Sequence, residues 1–125
     1  MTTLFEQAGG EFAVRLMMHD FVGRAFRDTM IGYLFRNADI DRVREMEYQF
    51  AAAHLGGEVS YRGRPLTEAH RSHRILDGQF ARRLQLLRDV LTEHRCPPHV
   101  IDHWIRHTES LRSKVVALDV SCGVE

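Results

Sequence analysis

Runs of apolar residues at three- and four-residue spacing, separated by glycine and proline pairs, constrain the fold of this chain more than any other feature. The first long run ends near Asp28 and includes Phe12, Val14, Leu16, Met17, Phe21, Val22, Ala25 and Phe26. This spacing is typical of one face of a helix. The breakers are Gly9-Gly10, Gly56-Gly57 and Pro97-Pro98. No segment alternates as a strand would, so the sequence predicts an all-α protein with about four substantial helices and two or three short ones.

Capping residues predict where the later helices begin and end. Asp39 suits the N-cap of a helix that runs to Leu55, where the second glycine pair stops it. Residues 58–65 should then form a loop. Asp77 can cap the next helix, which continues to about Glu93, and the proline pair begins the last helix.

The length of 125 residues suits one domain with a hydrophobic core of its own. We expect a single domain over residues 1–125, with its core between about 4 and 118 and a loose tail at 119–125.

Charge and composition exclude several classes of partner. The 17 basic and 17 acidic residues cancel, so nothing favours nucleic acid or an anionic membrane surface. No stretch approaches the roughly 18 apolar residues of a spanning helix. Cys96 and Cys122 are too few for a disulfide framework, and the first residues lack the features of a secretion signal. We therefore expect a cytoplasmic protein.

The segment from Pro65 to Leu76 carries two histidines, His70 and His73, after a short helical turn. A single neutral imidazole can hold the metal of a flat cofactor and leave the opposite side open to a ligand. The alternative is that His70 is a core or surface histidine with no metal.

Two charged residues interrupt apolar helix faces. Glu47 lies on the stripe of Ile40, Val43 and Phe50, and Arg83 lies on or beside the inward face of the next long helix. A buried carboxylate without a partner would be costly. Either the two side chains reach water at the edges of their stripes, or they face each other across a cavity.

These features together resemble the truncated haemoglobins, and the first group of that family most closely. The resemblance extends from about Leu4 to Val116. It includes both glycine pairs, the corner at Phe35, the segment Tyr61-Arg62-Gly63-Arg64-Pro65 and the Ala-His pair that ends at His70. It implies a globin-like, two-over-two helical sandwich.

The resemblance also implies a haem b cofactor. His70 would be the proximal iron ligand, Phe35 would stack on the porphyrin, and Tyr61 would lie near the haem propionates. His73 would be a propionate-side or surface residue. The other residues assigned to the cofactor pocket are Val43, Met46, Phe50, Leu66, Ile75, Phe80 and Leu87.

The distal side differs from the family pattern. Val22 replaces the usual tyrosine, Glu47 replaces the usual glutamine, and Arg83 replaces an apolar or tryptophan side chain. Val43 occupies the position of the classical distal histidine. The missing tyrosine hydroxyl removes a hydrogen bond worth about 1 kcal/mol or more to bound dioxygen.

Four functional hypotheses follow. The first is reversible binding of a diatomic gas (oxygen, nitric oxide or carbon monoxide), with a reductase partner that would keep the iron ferrous. The second is a haem enzyme that activates peroxide or another oxidant with Glu47 and Arg83 as catalytic residues. In the third, Met46 is the sixth iron ligand of a redox centre; the alternative is an apolar cover over a haem edge. The fourth is a haem-free globin fold that serves as an interaction module.

Overall fold

The computed structural model describes residues 2–60 and 75–114, which contain helices and no strand. The elements are α1 (Leu4–Gln7), α2 (Gly10–Arg27), a 3-10 helix (Gly32–Phe35), α3 (Ile40–His54), α4 (Asp77–Glu93) and α5 (Pro98–Ser110). The all-α prediction is confirmed, and the bounds of α2 and α3 agree with the expected ones to within one residue. None of the described helices combines the length and the apolar character that crossing a membrane requires.

Two glycines allow the chain to turn tightly at the ends of α2. Gly9 has φ +114°, and a Cβ built on it would lie 2.5 Å from the Cβ of Ala13. At Gly32 a Cβ would lie 2.7 Å from the carbonyl oxygen of Phe26. The first glycine supplies a left-handed backbone before the helix, and the second lets the 3-10 helix approach the end of α2 closely. This approach places Phe35 beside Phe26.

Helix α2 is the centre of the molecule. It packs on α3 along one side and on α4 along another, and α4 also packs on α5. The most completely buried side chains come from α2, the end of α3, α4 and α5, and they are Val14, Met18, Phe21, Val22, Leu55, Leu87, Val90, Leu91 and Val100. Phe12 and Leu16 match the apolar spacing of α2 but do not lie on its buried face, because these side chains are 80% and 49% exposed. They lie one turn apart on the outer face.

The helix caps agree with the sequence at α3 and α5 but not at α4. The side chain of Asp39 accepts a hydrogen bond from the backbone N–H of Asp41 at 3.0 Å, as expected. Pro98 is the first residue of α5. Asp77, however, is not the cap of α4. Leu76 holds the N-cap position, and its N–H donates to the side-chain oxygen of Gln79 at 2.9 Å. Asp77 instead accepts a hydrogen bond from Arg112 at 2.5 Å.

An ion pair ties the end of α2 to α4. Asp28 has a side chain only 5% exposed, and its carboxylate lies 2.7 Å from the guanidinium of Arg82. The same carboxylate accepts hydrogen bonds from the backbone N–H groups of Met30 and Ile31 at 3.0 and 3.2 Å. The hydrogen bond from Arg82 is the main reason that the pKa of Asp28 lies below its ordinary value of 3.8.

We expect Asp28→Asn to lower the free energy of unfolding by about 1–2 kcal/mol at neutral pH, because it removes a charge-assisted hydrogen bond. A carboxyl with a lowered folded pKa stabilises the protein above its unfolded pKa, and this stabilisation is lost as the pH falls through the folded value. Wild type should therefore lose more stability than Asp28→Asn between neutral pH and about pH 3. Urea unfolding at both pH values measures this difference.

Asp102→Asn is a suitable control, since that side chain is 56% exposed and should change stability by less than about 0.5 kcal/mol. Equal loss of stability in acid by wild type and Asp28→Asn would show that the Asp28–Arg82 pair does not contribute to the free energy of unfolding.

Candidate functional site

Four of the predicted site residues lie outside the described residues. These are the predicted iron ligand His70 and its neighbours Tyr61, Leu66 and His73. Their roles stay predictions. The rest of the predicted pocket lies on α2, the 3-10 helix, α3 and α4, apart from Ile75, which precedes α4.

Most of the described apolar residues predicted for the pocket belong to, or pack against, one of two clusters. Val22 and Leu87 are 1% and 2% exposed and belong to the main core, where Val43 packs at the edge. Ile75 and Phe80 form a smaller, separate cluster. Leu34 of the 3-10 helix packs against both clusters. Leu34 therefore connects the two clusters, and their contact with a porphyrin stays a prediction.

Phe35 is half-buried at the edge of the main core. Its ring stacks on that of Phe26, with centroids 4.7 Å apart and an angle of 18° between the planes. This contact fixes one face of the Phe35 ring against α2. The arrangement agrees with a ring positioned to contact a cofactor, although the porphyrin contact itself stays a prediction.

Glu47 and Arg83 form an ion pair between α3 and α4. The two guanidinium nitrogens of Arg83 donate to the two carboxylate oxygens of Glu47 at 3.2 and 3.3 Å. The guanidinium carbon also lies 4.9 Å from the ring centre of Phe21, close enough for a cation–π contact. The structure therefore combines parts of both alternatives, because the two side chains contact each other and each also reaches water.

The ion pair is only partly shielded from water. The side chains of Arg83 and Glu47 are 29% and 26% exposed. Such a pair contributes little to stability, because water screens its charges. Its long hydrogen bonds can also exchange for bonds to another polar group without leaving a buried charge unpaired.

Met46 and Phe50, the remaining predicted pocket residues on α3, are both half-buried. The ring centroid of Phe50 lies 6.4 Å from that of His54 and 5.9 Å from that of His107 on α5. The described contacts of Phe50 therefore point toward α5. Met46 as an iron ligand stays a prediction.

A group of imidazoles between α3 and α5 was missed by the sequence analysis. His54 stacks on His107 with centroids 4.1 Å apart and planes 11° apart, and it stacks on His103 at 5.8 Å. The edge of Trp104 lies against the same His54 ring, at 5.8 Å. The spacing of four residues between His103 and His107, and between Phe50 and His54, was the available signal. Nothing in the sequence indicated that these two pairs would meet.

Burial is the main reason that the pKa of His54 falls from its ordinary value of 6.5 to about 3, and His107 and His103 lower it further. Burial also lowers the pKa of His107. Among residues 2–60 and 75–114, no three His, Cys, Asp or Glu side chains are arranged to hold a metal ion. Burial and the neighbouring imidazoles therefore disfavour a proton on His54 and on His107.

Comparison with known proteins identifies the family. The pattern that defines the bacterial-like globins matches residues 3–117. A group 1 truncated haemoglobin from Tetrahymena pyriformis is 26% identical over 114 residues, covering 91% of this chain and 94% of that protein. A group 1 truncated haemoglobin from Synechocystis is 35% identical over 71 residues, which cover 57% of each chain.

A solved structure supports the same conclusion. The crystal structure of the Tetrahymena pyriformis truncated haemoglobin in its Fe(III) form has a TM-score of 0.86 and 26% identity, and the match covers 92% of this chain and 98% of that one. The expected two-over-two helical fold is confirmed. This chain belongs to the bacterial-like globin family and is a truncated globin of the first group.

Proposed function

We propose that this globin binds a diatomic gas, namely oxygen, nitric oxide or carbon monoxide, at the iron of a haem held by His70. Haem as the cofactor follows from membership of the family. When bound, haem supplies an iron atom whose position opposite a single imidazole is open to a ligand. The gas and the role of His70 are the proposed parts.

The observation that carries the proposal is the apolar character of the described residues that the sequence assigns to the pocket. The predicted wall residues on α2, α3 and α4 are apolar, except for Glu47 and Arg83, which bind each other. A pocket with few free polar groups suits small neutral ligands. Val22 offers no hydrogen bond, so we expect weaker discrimination in favour of oxygen over carbon monoxide than a tyrosine would give.

The residue on which the proposal depends most is His70. We expect the purified wild-type chain to carry haem and His70→Gly to lose the intense haem absorption band, because glycine cannot bind iron. Free imidazole added to His70→Gly with haem should restore the band and the carbon monoxide complex, since it replaces the missing ligand. Absorption spectroscopy of the ferrous protein, with and without carbon monoxide, measures both effects.

His73→Gly is the matched control, because it removes an imidazole from the same segment, and it should retain the pigment. An unchanged spectrum in His70→Gly would contradict the proposed ligand. A wild-type chain that purifies without pigment when haem is supplied would favour the haem-free interaction module instead.

The Glu47–Arg83 contact favours a second candidate, activation of peroxide. A carboxylate oxygen of Glu47 can accept a proton from one oxygen of hydrogen peroxide and return it to the departing oxygen. The guanidinium of Arg83 can stabilise the negative charge that develops on that oxygen. A reducing co-substrate would supply the electrons that convert peroxide to water. Because the ion pair is partly exposed, Glu47 and Arg83 can replace their mutual hydrogen bonds with hydrogen bonds to peroxide, as this chemistry requires.

We expect Glu47→Gln and Arg83→Leu each to lower peroxide-dependent oxidation of a phenol by about 100-fold, as is usual when a proton-transfer or charge-stabilising group is lost. Carbon monoxide binding should change far less in both variants, because a neutral gas needs neither group. Steady-state rates with guaiacol and carbon monoxide titrations provide the two measurements.

The neighbouring variants Glu45→Gln and Arg88→Leu serve as controls. Glu45 is 43% exposed and pairs with Arg15, and Arg88 is exposed on α4. Wild-type turnover in both Glu47→Gln and Arg83→Leu would rule out the peroxide mechanism and leave the gas-binding function.

We also propose a cytoplasmic location. The described cysteine, Cys96, is a free and buried thiol, and burial raises its pKa to about 11. A chain without a disulfide framework suits a reducing compartment. A reductase that keeps the iron ferrous is the partner that a gas-binding role would require.

A further inference from the structure

The imidazole cluster of His54, His103 and His107 lies between α3 and α5. The ring contacts that the structure gives between α3 and α5 are those of Phe50 and His54 with His103, Trp104 and His107. Two of the three imidazoles come from α5, one turn apart, and the third comes from the last turn of α3.

The described surroundings of the cluster do little to stabilise a proton on it. The favourable effect on His54 is a backbone hydrogen bond, and it is smaller than the opposing effects of burial and of His107 and His103. The Nδ1 atoms of His54 and His107 are both buried and have no hydrogen-bond partner. The charges that act on His54 are those of His107 and His103, and those that act on His107 are His103 and Lys114. All of these are positive when protonated.

The neighbouring charges do not compensate. Asp102 and Arg106 border the same groove on α5 as His103 and His107. These two side chains pair with each other and are more than half exposed, so Asp102 is already occupied. A proton on His54 or His107 would therefore face another imidazole at short range rather than a carboxylate.

We propose that His54 and His107, with the exposed His103 stacked on His54, form an acid-sensitive latch, closed when the His54 and His107 rings are neutral and opened by their protonation, that holds the end of α3 against α5. Neutral imidazoles stack face to face and pack against Trp104 and Phe50. Two imidazolium ions at a centroid separation of 4.1 Å repel each other and require water. Protonation therefore separates the rings and with them the two helices.

Opening of the latch would also affect residues outside the cluster, because the last turn of α3 contacts α1. The backbone N–H of Phe5 donates to the carbonyl oxygen of Leu55 at 2.9 Å, so α1 rests on the residue that follows His54. The same helix carries Glu47, which contacts Arg83 of α4 beside the proposed haem pocket. On the proposed function, acid should therefore also speed the loss of haem.

The lowered pKa of His54 sets the direction of the pH dependence. A histidine whose folded pKa lies below its unfolded value of 6.5 leaves stability unchanged at higher pH and reduces it as the pH falls below that value. For each proton that the open state binds and the closed latch excludes, the opening constant should rise about tenfold when the pH falls by one unit. The decrease in stability should continue toward the folded pKa of about 3.

The test is amide hydrogen exchange of α3 and α5 in the full chain between neutral pH and about pH 5, corrected for the intrinsic pH dependence of exchange. Wild type should show an opening constant that rises as the pH falls. His54→Phe keeps an aromatic ring but has no titrating group. The number of protons taken up on opening, measured as the slope of the logarithm of the opening constant against pH, should therefore fall by about one. His107→Phe should have a similar effect. His19→Gln, which changes an exposed histidine on α2, should behave as wild type.

Equal pH dependence in wild type and His54→Phe would overturn the proposal. Should the phenylalanine variants not fold, the ring protons of wild-type His54 followed by NMR decide the matter. A His54 ring that titrates near the ordinary pKa in the folded protein would overturn the latch, and one that stays neutral down to about pH 5 supports it.

Haem transfer to excess apomyoglobin over the same pH range separates this proposal from the proposed function. If the latch controls α3, transfer should accelerate in acid for wild type and His19→Gln and much less for His54→Phe. A chain without haem would refute the proposed function, while the exchange experiment would still test the latch.

Discussion

The burial of α2 between α3 and α4 is the interaction on which the rest of the structure depends. One face of α2 presents Val14, Phe21 and Val22 to the interior, and each of these side chains is at most 1% exposed. Burying a side chain of this size contributes about 1.5–3 kcal/mol relative to leaving it in water. Because α3 and α4 both rest on α2, Glu47 and Arg83 reach each other across Phe21, and the 3-10 helix brings Phe35 to the end of the same helix.

Much of the fold could be predicted because helix periodicity, glycine breakers and caps are local properties. Asp39 and Pro98 are examples in which a side chain acts on backbone within a few residues. The error at Asp77 has a physical reason, since Arg112 attracts its carboxylate and Gln79 takes over the cap. Phe12 and Leu16 show that the spacing of apolar residues alone does not determine which face of a helix packs against another element.

The candidate site was predictable only in part. Glu47 and Arg83 stood out because a charge on an apolar stripe needs a partner, and the partner was the other anomalous charge. The imidazole cluster did not stand out, because a histidine is compatible with both a buried and an exposed position. Its existence depends on how α3 crosses α5, a tertiary property that single-helix periodicity does not contain. The residues around His70 lie outside the described part, so the ligand assignment rests on sequence and family.

Helix α3 carries two ionisable side chains in opposite environments, Glu47 beside a group of opposite charge and His54 beside other imidazoles. Glu47 and His54 are seven residues apart, about two turns, so they lie on one face of the helix with Phe50 between them. At the first position the carboxylate contacts a group of opposite charge, Arg83, and water still reaches the pair. At the second position the described rings in contact with His54 are imidazoles and aromatic side chains, which supply no negative charge. Protonating both His54 and His107 would create a repulsion between the end of α3 and α5. One helix therefore links a polar group of the proposed gas pocket to a contact that is stable only when it is uncharged.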